Sequence, residues 1–162
     1  MFVIYDTFDK GKGVLTTKKI KKGEFIGWYE GKLIKFDNYE EYQIDRQKYM
    51  SRYNYKSKYG LIYVEKPYHF THYINDAMID NDFLKSIKAF NVEFQVRRRF
   101  NSLKYFCYLW PCYVATRDIE PGEPLETFYG SDYWLNSGYY DNSFIELFAN
   151  NTAIISSRYI SQ

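Results

Sequence analysis

The residues best equipped for chemistry in this chain are phenols, a glycine loop and a short polar triplet. Phe128-Tyr129-Gly130-Ser131-Asp132-Tyr133-Trp134 gathers four aromatic side chains around one glycine. Such a cluster is either a hydrophobic plug on the C-terminal segment or one wall of an aromatic-lined site. Asp9-Lys10-Gly11-Lys12-Gly13 is polar and glycine-rich. Glycine lets main chain approach a ligand closely, and exposed N–H groups can receive a carboxylate, although a single Gly-x-Gly is first of all an ordinary turn. His72-Tyr73-Ile74-Asn75-Asp76-Ala77 holds the third set. By themselves its histidine and the nearby His69 read as satisfied core or surface groups. Cys107 and Cys112 are two thiols, too few for a zinc site, and read as reduced thiols; no metal is implied.

The elements that must position these groups are short strands and turns. Thr17-Lys18-Lys19-Ile20-Lys21-Lys22-Gly23-Glu24-Phe25-Ile26 and Thr116-Arg117-Asp118-Ile119-Glu120-Pro121-Gly122-Glu123-Pro124-Leu125 share the pattern Thr-x-x-Ile-x-x-Gly-Glu-x-Ile/Leu. Two distant copies indicate two similar strand–turn–strand corners, whereas a solenoid needs several adjacent repeats. Phe2 to Thr7 reads as an edge strand. Phe25 to Tyr29 and Lys32 to Ile34 read as a hairpin turning at Glu30-Gly31. Asn38 and Glu41 form a capping-box pattern that predicts a helix from Tyr39 to Tyr53. Gly60 to Val64 reads as a strand, and Phe83, Leu84 and Ile87 as a helical turn or two. Asn91 to Val96 alternates, which predicts Val92, Phe94 and Val96 inward. Arg97-Arg98-Arg99 then falls at a hairpin tip before Asn101-Ser102, with a returning strand from Tyr105 to Leu109. A polar stretch follows Trp134, and then a helix carrying Phe144, Ile145, Leu147 and Phe148.

The two corners, Gly11-Lys12-Gly13-Val14, Tyr73-Ile74-Asn75-Asp76-Ala77 and Phe128-Tyr129-Gly130, in that order, resemble a SET domain, the family of S-adenosylmethionine-dependent protein-lysine methyltransferases. The resemblance spans Met1 to Trp134 and is closest to the compact stand-alone SET domains of the viral type. It implies a mainly β fold with short helices: several small sheets, with a C-terminal segment tucked under a loop. Residues 1–134 would be the SET domain and 135–162 a helical tail packed on it, in place of the cysteine-rich zinc segment many relatives carry. It implies S-adenosylmethionine as cofactor, held by Lys10, Gly11, Lys12, Gly13, His72, Asn75, Asp76 and Trp134. Tyr129 matches the catalytic tyrosine. Tyr29, Phe128 and Tyr133 would line the channel for the substrate lysine. The usual family motif is an arginine, two apolar residues and Asn-His-Ser. Here His72 stands at the arginine position, and Asp76 and Ala77 replace His and Ser. Pro124 stands where glutamate is frequent.

The implied partner is a protein bearing a lysine-containing tail, with histones the family's commonest targets and a nuclear site following from such a target. A homodimer is compatible with the sequence. The chain has 162 residues, enough for one domain, and a formal charge of +2, which argues against nucleic acid or membrane as a partner. No apolar run reaches the roughly 20 residues that cross a bilayer, and the N-terminus lacks a signal-peptide pattern, so an intracellular, soluble protein is expected. Two other readings use the same residues. The altered triplet and Pro124 suit a SET-fold binding module without catalysis. The 19 tyrosines and the three arginines suit a single-stranded nucleic-acid binder, which the near-neutral charge disfavours.

Overall fold

A computed structural model of the chain describes residues 1–35, 55–57, 60–101 and 106–157. The chain is mainly strands. β1 (Phe2–Asp6) and β2 (Lys12–Thr16) form an antiparallel pair. β3 (Phe25–Trp28) starts a second sheet and β4 (Lys32–Lys35) a third. β5 (Tyr55–Ser57) and β6 (Gly60–Tyr63) complete the third, in the order β4-β6-β5. A 3-10 turn over Phe70–Tyr73 leads into the two-residue β7 (Asn75–Asp76). Helix α1 (Phe83–Ala89) follows, capped by Asp82 accepting from the Lys85 N–H. The long strands β8 (Val92–Asn101) and β9 (Phe106–Ala115) join the second sheet in the order β3-β9-β8. β10 (Glu126–Thr127) lies parallel to β7, and α2 (Ser131–Ser137) and α3 (Asn142–Ser157) end the described chain. The predicted helix from Tyr39 to Tyr53 lies outside the described residues. No described helix is long and apolar enough to cross a membrane.

The two sequence copies meet each other. Ile20 and Ile119 exchange both main-chain bonds, N to O at 3.0 and 2.9 Å, and both are fully buried. The exchange is reciprocal around them. Gly23 N–H donates to Ala115 O at 2.8 Å, and Gly122 N–H to Thr16 O at 2.7 Å. Ala115 N–H donates to Glu24 O at 3.0 Å, and Thr16 N–H to Glu123 O at 3.2 Å. Each Glu also caps its own turn, accepting from Lys21 N–H and Glu120 N–H respectively. Gly23 at φ +80° and Gly122 at φ +89° occupy the left-handed region that a side chain resists, which is why both turns carry glycine. Burial of each isoleucine contributes about 1.5–3 kcal/mol.

The main core packs Val14, Ile20, Ile26, Ile74, Val92, Trp110 and Ile119 between the sheets. A second cluster sits under the C-terminal helices, where Phe144, Ile145 and Phe148 of α3 close on Ala77, Met78 and Phe90. Leu147 on the same helix is 48% exposed. A break after Trp134 would fall inside α2.

Three local expectations are corrected. Residues 25–35 are no hairpin: β3 pairs with β9 and β4 with β6. Gly31 passes so close to β6 that a Cβ would lie 2.6 Å from Ile62 Cγ2 and 2.8 Å from Tyr63 O, so the chain is crossing between sheets there. The arginines are not at a tip, because β8 runs on through them to Asn101. Val96 consequently lies beyond the core and is 53% exposed, while Val92 is fully buried. β9 also absorbs Tyr113 to Ala115 across Pro111, an unusual residue for a central strand. Tyr29 N–H donates to Pro111 O at 2.9 Å, just past the end of β3, so the missing proline N–H falls where the β3 ladder stops.

Candidate active site

The parallel pair β7–β10 is the frame of the site. Its register sets Glu126 beside Asn75 and Thr127 beside Asp76, and Ala77 N–H adds a bond to Thr127 O at 2.7 Å. Asn91 fastens the incoming segment. Its Nδ2 donates to Pro124 O at 2.7 Å, its Oδ1 accepts from Glu126 N–H at 2.9 Å, and its own N–H donates to Glu126 O at 3.0 Å. The side chain is 1% exposed. These bonds hold residues 124–127 against the 75–77 and 91 segments, the arrangement that the resemblance implies for the C-terminal segment.

A cavity of about 590 Å³ opens beside this frame. One end is ring-lined. Tyr29 touches His72, Phe94, Tyr55 and Tyr113, with ring centroids at 4.9, 5.6, 6.2 and 6.3 Å, and Phe94 meets Tyr55 at 4.8 Å and Tyr113 at 5.2 Å. The other end is polar, lined by Asp9, Lys10, Lys12, Asn75 and Asp76, with Trp134, Tyr139 and Tyr140 alongside. Tyr129 lines the cavity from the segment after β10, its hydroxyl donating to Ile74 O at 3.1 Å and its ring 5.2 Å from Tyr133. Tyr129 is 42% exposed and Tyr133 55%, so this wall reaches the mouth.

The Asp76 carboxylate ties the wall together. Oδ1 accepts from Met78 N–H at 2.7 Å. Oδ2 accepts from Tyr129 N–H at 2.7 Å and from Trp134 Nε1–H at 3.0 Å. Burial pushes this carboxyl up to about 6, against the pull of the three donors and of Lys10. Lys10 Nζ reaches over to Asp76 O at 2.6 Å and Glu126 Oε1 at 3.4 Å, pinning the β1–β2 loop to the frame. Burial also raises the Glu126 carboxyl. Asn75 Nδ2 donates to Lys12 O at 3.1 Å and completes that junction. Tyr140 donates its hydroxyl to Met78 O at 2.9 Å, and burial pushes its phenol up to about 12. Tyr113 is buried at the cavity wall, and desolvation drives its phenol well above the usual range, so it stays neutral.

Most of the residues singled out from sequence share this one cavity: Lys10, Lys12, Tyr29, His72, Asn75, Asp76, Phe128, Tyr129, Tyr133 and Trp134. Gly11 and Gly13 shape the loop without lining the wall, and an added Cβ at Gly13 would stand 3.0 Å from the Tyr5 ring. His72 stands at the ring-lined end. Its Nδ1 accepts from His69 N–H at 3.0 Å, so the remaining proton sits on Nε2, which donates to Glu30 O at 2.7 Å. Desolvation lowers its pKa, which keeps it a neutral wall. The sequence reading missed Tyr55, Phe94, Tyr113 and Tyr140 as wall residues; the alternation of β8 marked Phe94 as inward, but nothing local marked the other three. Arg99 serves the scaffold: it forms a two-point pair with Glu30 at 3.0 Å and lies 5.2 Å from the Trp28 ring centroid.

Thr127 Oγ1 is buried without a hydrogen-bond partner among the described residues, and Thr127 lines the cavity. Native interiors rarely leave such an atom unpaired unless a ligand or water completes it. The volume lies within the range of small-molecule sites. Chemically, the polar end, with Asp9 and Asp76 beside Lys10 and Lys12, suits a ligand that carries both charges, and the uncharged rings suit an alkylammonium, which an aromatic face attracts. Among the described residues no cluster of His, Cys, Asp and Glu is placed to hold a metal ion. Cys112 is buried and its thiol is pushed up to about 11, which makes it inert.

Comparison with protein families finds that the SET domain model matches residues 11–130. Comparison with curated proteins finds no match.

Proposed function

The chain belongs to the SET-domain family, whose members are generally protein-lysine methyltransferases, and on that footing we propose that it transfers a methyl group from S-adenosylmethionine to a lysine side chain. The observation that carries the reading is the union, in one cavity, of the Tyr129 phenol, a ring-lined end and a polar end that holds Lys10, Lys12 and Asn75. When bound, the cofactor supplies a methyl group made electrophilic by an adjacent sulfonium. Lys10 and Lys12, on the loop with Gly11 and Gly13, would receive its carboxylate end. Asn75, Asp76 and Trp134 would flank its adenosine end.

The protein's own task begins with the substrate amine. A free lysine has a pKa of about 10.4, yet only the neutral amine is nucleophilic. Tyr29, Tyr55, Phe94 and Tyr113 carry no charge and exclude water, so they disfavour the ammonium and shift the equilibrium towards the amine. Their faces still accept the cation as it arrives and the methylated ammonium as it leaves. The Tyr129 O–H donates to Ile74 O, which turns the phenol oxygen's acceptor side towards a polarised methyl. Each such C–H···O contact is worth about 0.5–1 kcal/mol, so alignment of the reacting atoms provides the larger share.

A histone tail is the target this reading favours, which would place the protein on chromatin. The test is incubation with labelled S-adenosylmethionine and core histones, followed by identification of methyl-lysine. Transfer by the wild-type protein and its loss in Tyr129→Phe supports the reading. Cofactor binding without transfer to any protein would make the fold a binding module.

A further inference from the structure

Asp76 was implied above as a cofactor contact, but its carboxylate is already committed within the protein. It is 4% exposed and takes three N–H donors from two stretches of chain, Met78 on one side and Tyr129 and Trp134 on the other. The two stretches lie more than 50 positions apart, since the Tyr129 and Trp134 bonds span 53 and 58 residues. Among the described residues no other side-chain acceptor is bonded to both stretches; the Tyr140 hydroxyl, from the segment after α2, donates to Met78 O.

We propose that Asp76 is a positioning residue: its ionised carboxylate locks residues 129–134 onto residues 76–78 and so holds Tyr129 and Trp134 in the cavity wall. This rests on the methyltransferase reading only for its consequence, since the lock itself is a matter of geometry. A carboxylate has acceptor positions for all three donors and no proton of its own. A proton on Oδ2 points where Tyr129 N–H and Trp134 Nε1–H already point, and a proton on Oδ1 competes with Met78 N–H. An asparagine fails for the same reason, because one of its two positions becomes an NH₂ facing an N–H. The lock therefore opens by protonation.

Several other groups face Asp76 or its neighbourhood. Lys10 on the β1–β2 loop favours the ionised form. Glu126 on β10 is held by Lys10 and is itself raised by burial. Tyr113 on β9 and Tyr140 before α3 feel the Asp76 charge, and both phenols stay protonated at neutral pH. Asp9 and Asp80 act on Tyr140 from the β1–β2 loop and from the turn after Met78. His72, at the ring-lined end, hydrogen-bonds the main chain of His69 and Glu30, and the His69 ring bonds the Thr71 hydroxyl; burial lowers both imidazoles, and neither bonds Trp134.

The indole N–H of Trp134 reports on the lock directly. In ¹H–¹⁵N spectra of the whole chain, its resonance is assigned with Trp134→Phe; Trp28 and Trp110 serve as internal controls, the latter bonded to Tyr29 O. The expected result is that the Trp134 resonance titrates with a midpoint near pH 6, that Asp76→Asn abolishes this titration, and that Glu126→Gln retains it. In parallel, the Kd for S-adenosylmethionine should rise about tenfold between pH 7.5 and pH 5 in the wild-type protein. A Trp134 signal that stays constant from pH 5 to 8 overturns the proposal, as does one that follows Glu126. Should Asp76→Asn fail to fold, the wild-type titration with the Glu126→Gln control still decides. A titrating indole in a protein that methylates nothing leaves the lock standing and removes the methyltransferase reading instead.

Discussion

Tyr129→Phe separates a catalytic phenol from a structural one. The substitution removes one neutral hydrogen bond, from the hydroxyl to Ile74 O at 3.1 Å, and keeps the ring against Tyr133. A bond of this kind has a net worth of about 1 kcal/mol. Tyr129 is 42% exposed, so water can reach the carbonyl that loses its donor, and the stability cost stays at or below that value. For a chain of this size it corresponds to a fall in Tm of about 2–4 °C. The main-chain N–H of residue 129 still donates to Asp76, so the segment keeps its place. Cofactor affinity should change by less than about twofold. On the proposed mechanism the rate should fall much further, because the phenol oxygen would be the acceptor that orients the reacting groups, and misplacement by about 1 Å costs about 100-fold. That loss is about 2.7 kcal/mol on the barrier. Single-turnover transfer of labelled methyl, measured beside calorimetric cofactor binding and thermal melting, gives all three quantities. An unchanged rate refutes the assignment. So does a rate that falls only in proportion to the folded fraction.

Three further outcomes follow from the same geometry. Thr127→Val removes a buried hydroxyl without a partner among the described residues, so the ligand-free protein should gain about 1 kcal/mol in denaturant unfolding; a loss of stability would show that the hydroxyl is satisfied. Asn91→Ala strips Pro124 O and Glu126 N–H of their partners in a site 1% exposed, and should cost about 3–5 kcal/mol and loosen residues 124–130, visible as faster amide exchange there; protection equal to wild type would refute it. Asp76 has a folded pKa of about 6 against an ordinary 3.8, so the folded state holds its proton more firmly than the unfolded chain does. Its contribution is therefore fully present below pH 3.8 and is lost as pH rises through about 6. Wild-type stability relative to Asp76→Asn should decline by about 2.4 kcal/mol between pH 4 and pH 7, and a rising difference would overturn the burial argument.

The ionised Asp76 thus costs stability at neutral pH while it organises the wall, an arrangement expected of a site and not of a core. The same tension explains where reading from sequence succeeded. The corners were legible because each is a local device: a left-handed glycine, a Glu that caps its own turn and an isoleucine that must be buried. Phe128, Tyr129 and Trp134 were legible as a cluster because they are adjacent. The direction of the 25–35 segment was not, since hairpin and crossover have the same residues. The choice between them rests on β9 and β6, which lie about 85 and 30 positions downstream, and long-range pairing leaves no local trace.

What the amino-acid sequence determined by itself is the set of turns, the strand periods and the order of motifs that mark the family. These depend on neighbours within a few positions and on φ angles that glycine permits. Tertiary structure alone decided that Tyr29, Tyr55, Phe94 and Tyr113 face one another and that Val96 escapes the core. It alone turned Asp76 from an odd substitution into the acceptor for Met78, Tyr129 and Trp134. The reason is physical: a ring or a carboxylate gains its meaning from what desolvates it and what donates to it, and here those partners come from strands and loops far apart along the chain.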